Sequence, residues 1–175
     1  MNRWHFGVNL LGIGAGCLMI LAMFFPWWSF RWEFVEQTDV YPYVLSGPGT
    51  ELVGYQRSPE MLLLTGVVIA CILLCLLGSL IKRRAGWIMM AISGVLILIA
   101  AWRLIARVSG VAARFGLPVI GHGRGNLGGF AWVETWTWLQ PGFYLVVSAG
   151  VLALAAGLLH HKIWLEPKSR SMEKG

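Results

Sequence analysis

The chain has 175 residues, of which 57% are hydrophobic and only 13% charged. A water-soluble domain carries about 25% charged residues, so this composition excludes a protein whose surface faces mainly water. The net charge of +6 does not mark a nucleic-acid binder, because the basic residues cluster at the ends of apolar runs, where cations orient a membrane protein and meet anionic lipid.

Residues 6–30 are free of charge. The run is too long for the apolar core of a cleaved signal, which spans about 7–15 residues. Gly14-Ala15-Gly16-Cys17 stands like a lipoprotein cleavage box, but it has Gly14 where such a box has Leu, and the chain stays apolar well past Cys17. A retained transmembrane helix over about 6–28 is therefore expected. Gly12 and Gly16 give it a small-residue face of the kind that lets helix backbones approach in lipid.

A first polar loop follows, over 31–60. Phe30-Arg31-Trp32-Glu33-Phe34 alternates apolar and polar, which is a strand signal. Gln37-Thr38-Asp39 reads as a turn. Val40 to Leu45 reads as a second strand, confined to a sheet edge by Pro42. Ser46-Gly47-Pro48-Gly49 breaks the run.

The second apolar window is 61–81 and the third is 85–102, joined by Lys82-Arg83-Arg84. So short a link demands an antiparallel pair of helices. Gly66 and Ala70 form a second small-residue pair. Cys71 and Cys75 share a helix face, yet a metal site needs further ligands that are absent from this window, so packing is the expected role. Beyond the third window, Arg103, Arg107 and Arg114 fall within about 40° of one another on a helix. The helix is expected to run on to about 115 with one cationic stripe.

The second loop, 116–140, has two parts. Gly116 to Gly129 holds six glycines and reads as a flexible linker. Phe130 to Trp138 is aromatic and β-branched, and reads as a strand. A small sheet is expected, with two strands from the first loop and one from the second. The first loop holds Glu33, Glu36, Asp39, Glu51 and Glu60 against Arg31 and Arg57, whereas the stretch from Arg103 to 140 holds four arginines against Glu134. Two readings of the arginine stripe stand level, pairing with the acidic loop or each arginine snorkelling to water or phosphate. A basic interfacial helix over 103–115 on an anionic leaflet is a third. Arg103, Arg107, Arg114, Trp32, Trp132, Glu33 and Glu36 are the candidate interaction residues. The fourth window lies within 135–159. Pro141 suits a first helical turn, so a helix over 141–161 is expected, with a small-residue stripe of Ala149, Ala153 and Gly157. A polar tail, 166–175, ends the chain.

Three adjacent cations at 82–84 belong in the cytoplasm by the positive-inside rule. That places both termini inside and both long loops outside, in a multi-pass protein of the cell membrane. Trp4, Trp87 and Trp164 then fall at the inner interface, and Trp27, Trp28, Trp102, Trp136 and Trp138 at the outer one, as an aromatic belt requires. The expected fold is an all-α membrane protein: a single four-helix antiparallel transmembrane domain over 1–165 with a small β-rich cap.

Chemistry is sparse. The apolar windows hold no Asp, Glu, Lys or Arg, whereas transporters place ionisable groups at mid-membrane. No catalytic or metal-binding arrangement is expected. His5, His160 and His161 gather at one end of the first and last helices, where two of them could ligate a haem; an interfacial role without cofactor is the primary expectation. Gly121-His122-Gly123-Arg124-Gly125 lacks the strand-to-helix context of a phosphate loop.

The layout of four helices, a larger first loop, a short basic turn and a second loop resembles the claudin-type tetraspan topology. Claudins carry a Gly-Leu-Trp motif and two cysteines in the first loop; this chain has no cysteine there, so junction formation does not carry over. Pro26-Trp27-Trp28, Ser46-Gly47 and Gly142-Phe143-Tyr144-Leu145 resemble patterns of small prokaryotic four-helix membrane proteins of unassigned role, which implies a fold and no activity. The expected function is a non-catalytic accessory or assembly subunit whose partners are the lipid bilayer and other membrane subunits or further copies of itself, with no nucleic acid and no cofactor. A homo-oligomeric channel or small-solute transporter, and a haem-binding electron carrier, are the alternatives.

Overall fold

The computed structural model describes residues 8–53, 56–81, 84–114, 118–127 and 131–165. It is a helix-rich fold with one five-stranded antiparallel sheet. Three helices are long and apolar enough to cross a membrane: Pro59–Leu80, Arg84–Ala113 and Pro141–His160.

The first helix, α1, spans Leu10–Phe24, shorter at both ends than the 6–28 expected. Its start is set by Asn9, whose side chain accepts from the backbone N–H groups of Leu11 and Gly12 and so satisfies donors that have no partner within the helix. Its end is set by Pro26, which disfavours helical backbone at Phe25; Phe25 is extended. Fifteen residues give a rod of about 22 Å, short of the roughly 30 Å of a bilayer's hydrocarbon.

Trp28–Trp32 forms β1 and Val35–Val40 forms β2. The turn between them falls at Glu33-Phe34 rather than at Gln37–Asp39 as expected. The second expected strand also shifts. Val40 ends β2, the chain turns with the Tyr41 N–H bonded to the Val44 carbonyl at 2.9 Å, and β3 is only Leu45–Ser46. Pro42, which has no N–H to give a ladder, sits in that turn. Gly47 has φ 123°, and a short helix α2 follows at Gly49–Val53, unforeseen in sequence.

Helix α3 is Pro59–Leu80, capped by the Ser58 hydroxyl on the Met61 N–H. Helix α4 runs from Arg84 to Arg114, about 46 Å, so the expected continuation past the apolar window is present. Gly121–Leu127 is β4, and Ala131–Leu139 is β5. After Gln140, α5 runs from Pro141 to Leu165.

The strand order is β3-β2-β1-β5-β4, every pair antiparallel. Two corrections follow. The sheet has three strands from the first loop and two from the second. And the glycine-rich stretch expected to be a linker is in part a strand, because its glycines alternate. Gly121, Gly123 and Gly125 lie on one face, opposite Thr137, Thr135 and Val133. A Cβ at Gly123 would come within 2.5 Å of Pro118 Cδ, so this face of β4 must stay bare for the incoming chain to cross it.

The helices pack in a closed cycle: α1 against α3 and α5, α3 against α4, and α4 against α5. Met19, Cys71, Cys75, Met90, Ile97, Val146 and the alanines of α5 fill the interior. Two of its polar groups bond across helices: Ser93 Oγ donates to the Cys71 carbonyl at 2.8 Å and Cys75 Sγ to the Gly12 carbonyl at 3.2 Å. Where α4 crosses α5, a Cβ on Gly94 would lie 2.9 Å from the Gly150 carbonyl oxygen, so the close approach depends on glycine. Chain order puts the sheet at one end of these helices. β1 follows α1, β5 precedes α5, α2 leads towards α3, and β4 comes after α4.

Candidate functional site

Two places in the fold gather polar and aromatic groups. The first is a buried junction at the end of the helices away from the sheet. Asn9 and His160 are each 2% exposed. Asn9 Nδ2 donates to the Ala156 carbonyl at 3.1 Å and lies 3.2 Å from His160 Nδ1. The Asn9 N–H donates to the Ser79 carbonyl at 3.0 Å, and the Ile81 backbone is hydrogen-bonded to His160. With Nδ1 accepting from Asn9, the imidazole proton sits on Nε2. A Cβ on Gly86 would lie 3.3 Å from Nε2, so α4 also closes on the junction. Its chemistry is that of a clamp between chain segments. Of the other haem candidates, His161 follows in α5, and His5 lies outside the described residues. Among the described residues no three His, Cys, Asp or Glu come together as a metal site.

The second place is the sheet, whose two faces differ. On one, Val40, Thr38, Thr135, Thr137 and Val133 are buried. This face is covered by α2, where the Gly49 N–H donates to Thr38 Oγ1 at 2.9 Å, and by the segment before β4. There Trp28 Nε1 donates to the Val119 carbonyl at 3.0 Å and Thr137 Oγ1 to the Pro118 carbonyl at 3.0 Å. Trp28, Phe30 and Trp32 stack in sequence along it, with centroids 5.3 and 5.4 Å apart.

The opposite face is open at its Trp132 end, with Trp136 and Trp138 partly exposed and Ser29 buried beside Trp138. Strand β5 presents Trp132, Glu134, Trp136 and Trp138 there, by the two-residue alternation of a strand. Trp132 is 71% exposed. Glu134 accepts from Arg124 at 3.2 Å and lies 3.4 Å from His122 Nε2. The His122 ring rests on Trp136 at 5.0 Å. Across the sheet Arg31 pairs with Trp136 and Ser29 with Trp138. The ladder extends to Glu33, whose N–H donates to the Glu134 carbonyl at 3.0 Å, so Glu33 and Glu134 are neighbours on this face. Asp39 holds the far side, accepting from Ser29 at 2.5 Å and Gln37 at 2.6 Å.

The structure thus divides the residues singled out in the sequence. Trp132 and Glu33 share the open face, whereas Trp32 lies on the covered one and Glu36 is exposed on β2. From the arginine stripe, Arg107 Nε meets Glu60 at 2.9 Å, both side chains more than half exposed. That contact joins α4 to the first turn of α3. Arg103 is exposed on α4, and Arg114 ends the helix. The residues that sequence reasoning missed are His122 and Arg124, which a linker would leave unplaced. The signal was present as strict glycine/polar alternation over 121–126.

The small-residue faces divide as well. Cβ atoms on Gly12 and Gly16 would overlap Ser79 and Leu76, and one on Gly157 would lie 3.1 Å from the Trp87 carbonyl oxygen. Those faces are spent on packing within the chain. A Cβ on Gly66 would meet nothing, and Ala70 one turn on is exposed. Comparison with protein-family models finds no match, and comparison with curated proteins finds none either.

Proposed function

We propose that the chain is a multi-pass protein of the cell membrane. In this reading α1, α3, α4 and α5 form a four-helix antiparallel bundle, both termini are cytoplasmic, and the sheet stands outside. The reading continues to a non-catalytic accessory or assembly subunit that docks a partner helix within the membrane. Leu62, Leu63, Leu73, Leu77 and Leu158 are all at least half exposed. In water each would forfeit about 1.5–3 kcal/mol of burial, whereas lipid tails solvate them. The short α1 is matched by thinning of the bilayer or by burial against its longer neighbours.

The observation that carries the subunit role is the Gly66–Ala70 face of α3. In lipid, small residues serve close backbone approach rather than hydrophobic burial, and among the described residues nothing lies within 4 Å of a Cβ on Gly66, while Ala70 is exposed. Gly66→Leu combined with Ala70→Leu is the test. In native membranes the wild-type protein is expected to migrate in an assembly well above its 19.4 kDa, and the double variant as a folded monomer. A wild-type protein that is monomeric before any variant is made, or an assembly indifferent to both leucines, would overturn the reading.

A further inference from the structure

We propose that the open face of the sheet binds an uncharged oligosaccharide. This does not depend on the subunit reading, since it uses the sheet and not the helix faces.

The recognition elements are rigid and aromatic. Trp136 and Trp138 lie two residues apart on one strand, a spacing of about 7 Å, and Trp132 lies about 13 Å from Trp136. Indole offers a large flat apolar surface with few rotatable bonds, suited to the C–H face of a pyranose ring. Between and beside these rings stand groups suited to hydroxyls: carboxylate acceptors on Glu134 and Glu33, guanidinium donors on Arg124 and Arg31, and the His122 imidazole. Glu134 is fixed by Arg124 and His122, and His122 by Trp136, so a ligand meets polar groups already oriented. That reduces the ordering cost of binding.

The charge balance selects the ligand class. Arg31 and Arg124 stand against Glu33, Glu134 and Asp39 on this face. So interleaved a pattern attracts neither a polyanion nor a polycation. A peptide strand could pair only along the outer edge of β4, which has β5 as its single neighbour; there it would lie beside β4 and would not cover the tryptophans of β5, whose two edges are taken by β1 and β4. Immersion in lipid would strip water from carboxylates and guanidinium groups set between the tryptophans, at high cost. A neutral chain of sugar rings meets all three conditions: it supplies apolar faces, many hydroxyls and no charge.

The experiment uses the full chain in lipid nanodiscs and isothermal titration with cellohexaose, maltohexaose and a hexamer of N-acetylglucosamine. Poly-glutamate, a proline-rich peptide and phosphatidylglycerol vesicles are the comparison ligands. At least one hexasaccharide is expected to bind with a sub-millimolar Kd that changes little with salt. Trp132→Ala is expected to weaken it about tenfold, a loss of about 1.4 kcal/mol, and Trp132→Phe to restore most of it. Trp132 is 71% exposed, so its truncation is expected to leave the melting temperature unmoved and to report binding alone. Glu134→Gln supplies a second variant. Three outcomes would overturn the proposal: no hexasaccharide binding at millimolar concentration, binding indifferent to both Trp132→Ala and Glu134→Gln, or tighter binding of a comparison ligand through the same residues.

Discussion

At the scale of single residues, Asn9 is the most heavily used side chain among the described residues. Its carbonyl oxygen caps α1, and its amide nitrogen reaches the Ala156 carbonyl and the His160 imidazole. Losing a cap costs about 1 kcal/mol, and stranding a buried partner costs about 1–3 kcal/mol more. Asn9→Ala is therefore expected to destabilise the protein by about 2–4 kcal/mol, measured by denaturant or thermal unfolding in a fixed detergent. A change under about 0.5 kcal/mol would show that the junction is not a structural clamp. Gly94 gives a second test. Gly94→Val would push a side chain onto the Gly150 carbonyl and Leu154, and overpacking of this kind costs about 1–3 kcal/mol. Gly66→Val, with open space around it, should leave the melting temperature of the monomer within experimental error. The contrast between these two glycines was hidden in the sequence, where both lie in similar apolar runs. Only packing decides which glycine is spent inside the fold.

At the scale of elements, the helices were legible because lipid-length apolar runs leave a strong trace. The ends of α3 and α5 carry Pro59 and Pro141, each at a first helical position. The cap was harder to read. Strand β4 has no β-branched residue and only Leu127 as an apolar side chain of any size, so neither propensity nor hydrophobic alternation marks it. It is a strand because β5 offers a partner and Pro118 needs a bare glycine face. Trp136 and Trp138, expected at the outer interface, alternate along β5 with Thr135 and Thr137. The continuation of α4 was legible from the arginine spacing, and one stripe residue, Arg107, reaches an acidic partner, Glu60. Both side chains are well exposed, so the pair is expected to contribute no more than about 1 kcal/mol. A double-mutant cycle with Arg107→Gln and Glu60→Gln is expected to give a coupling in that range that shrinks at high salt. A salt-independent coupling above about 2 kcal/mol would show that the pair is shielded from water.

At the scale of the whole molecule, the topology makes a prediction that is independent of any partner. If the sheet stands outside the cell, a cysteine at His122 will react with a membrane-impermeant maleimide in intact cells. A cysteine at Lys168 will react only after permeabilisation. Cys17, Cys71 and Cys75 are replaced by alanine or serine beforehand. The reverse labelling pattern would invert the orientation and place the saccharide proposal on the cytoplasmic side. The positive-inside argument from Lys82, Arg83 and Arg84 was available from sequence alone. The arrangement of the cap was not, since it depends on pairing between strands more than ninety residues apart, Trp28 with Leu139 and Trp32 with Thr135.

That long-range pairing has a mechanical consequence. Strand β1 follows α1 after Phe25, Pro26 and Trp27, and β5 passes into α5 through Gln140 alone. The joints are themselves bonded: the Gln140 N–H donates to the Trp27 carbonyl and the Gly142 N–H to the Pro26 carbonyl. The same two helices meet at the far end through Asn9, Ala156 and His160. Strand pair and helix pair make one continuous strut, clamped at both extremities and at its waist. A pull on the sheet loads α1 and α5 together. α3 joins that strut through the Asn9 N–H on the Ser79 carbonyl, and α4 packs along α5.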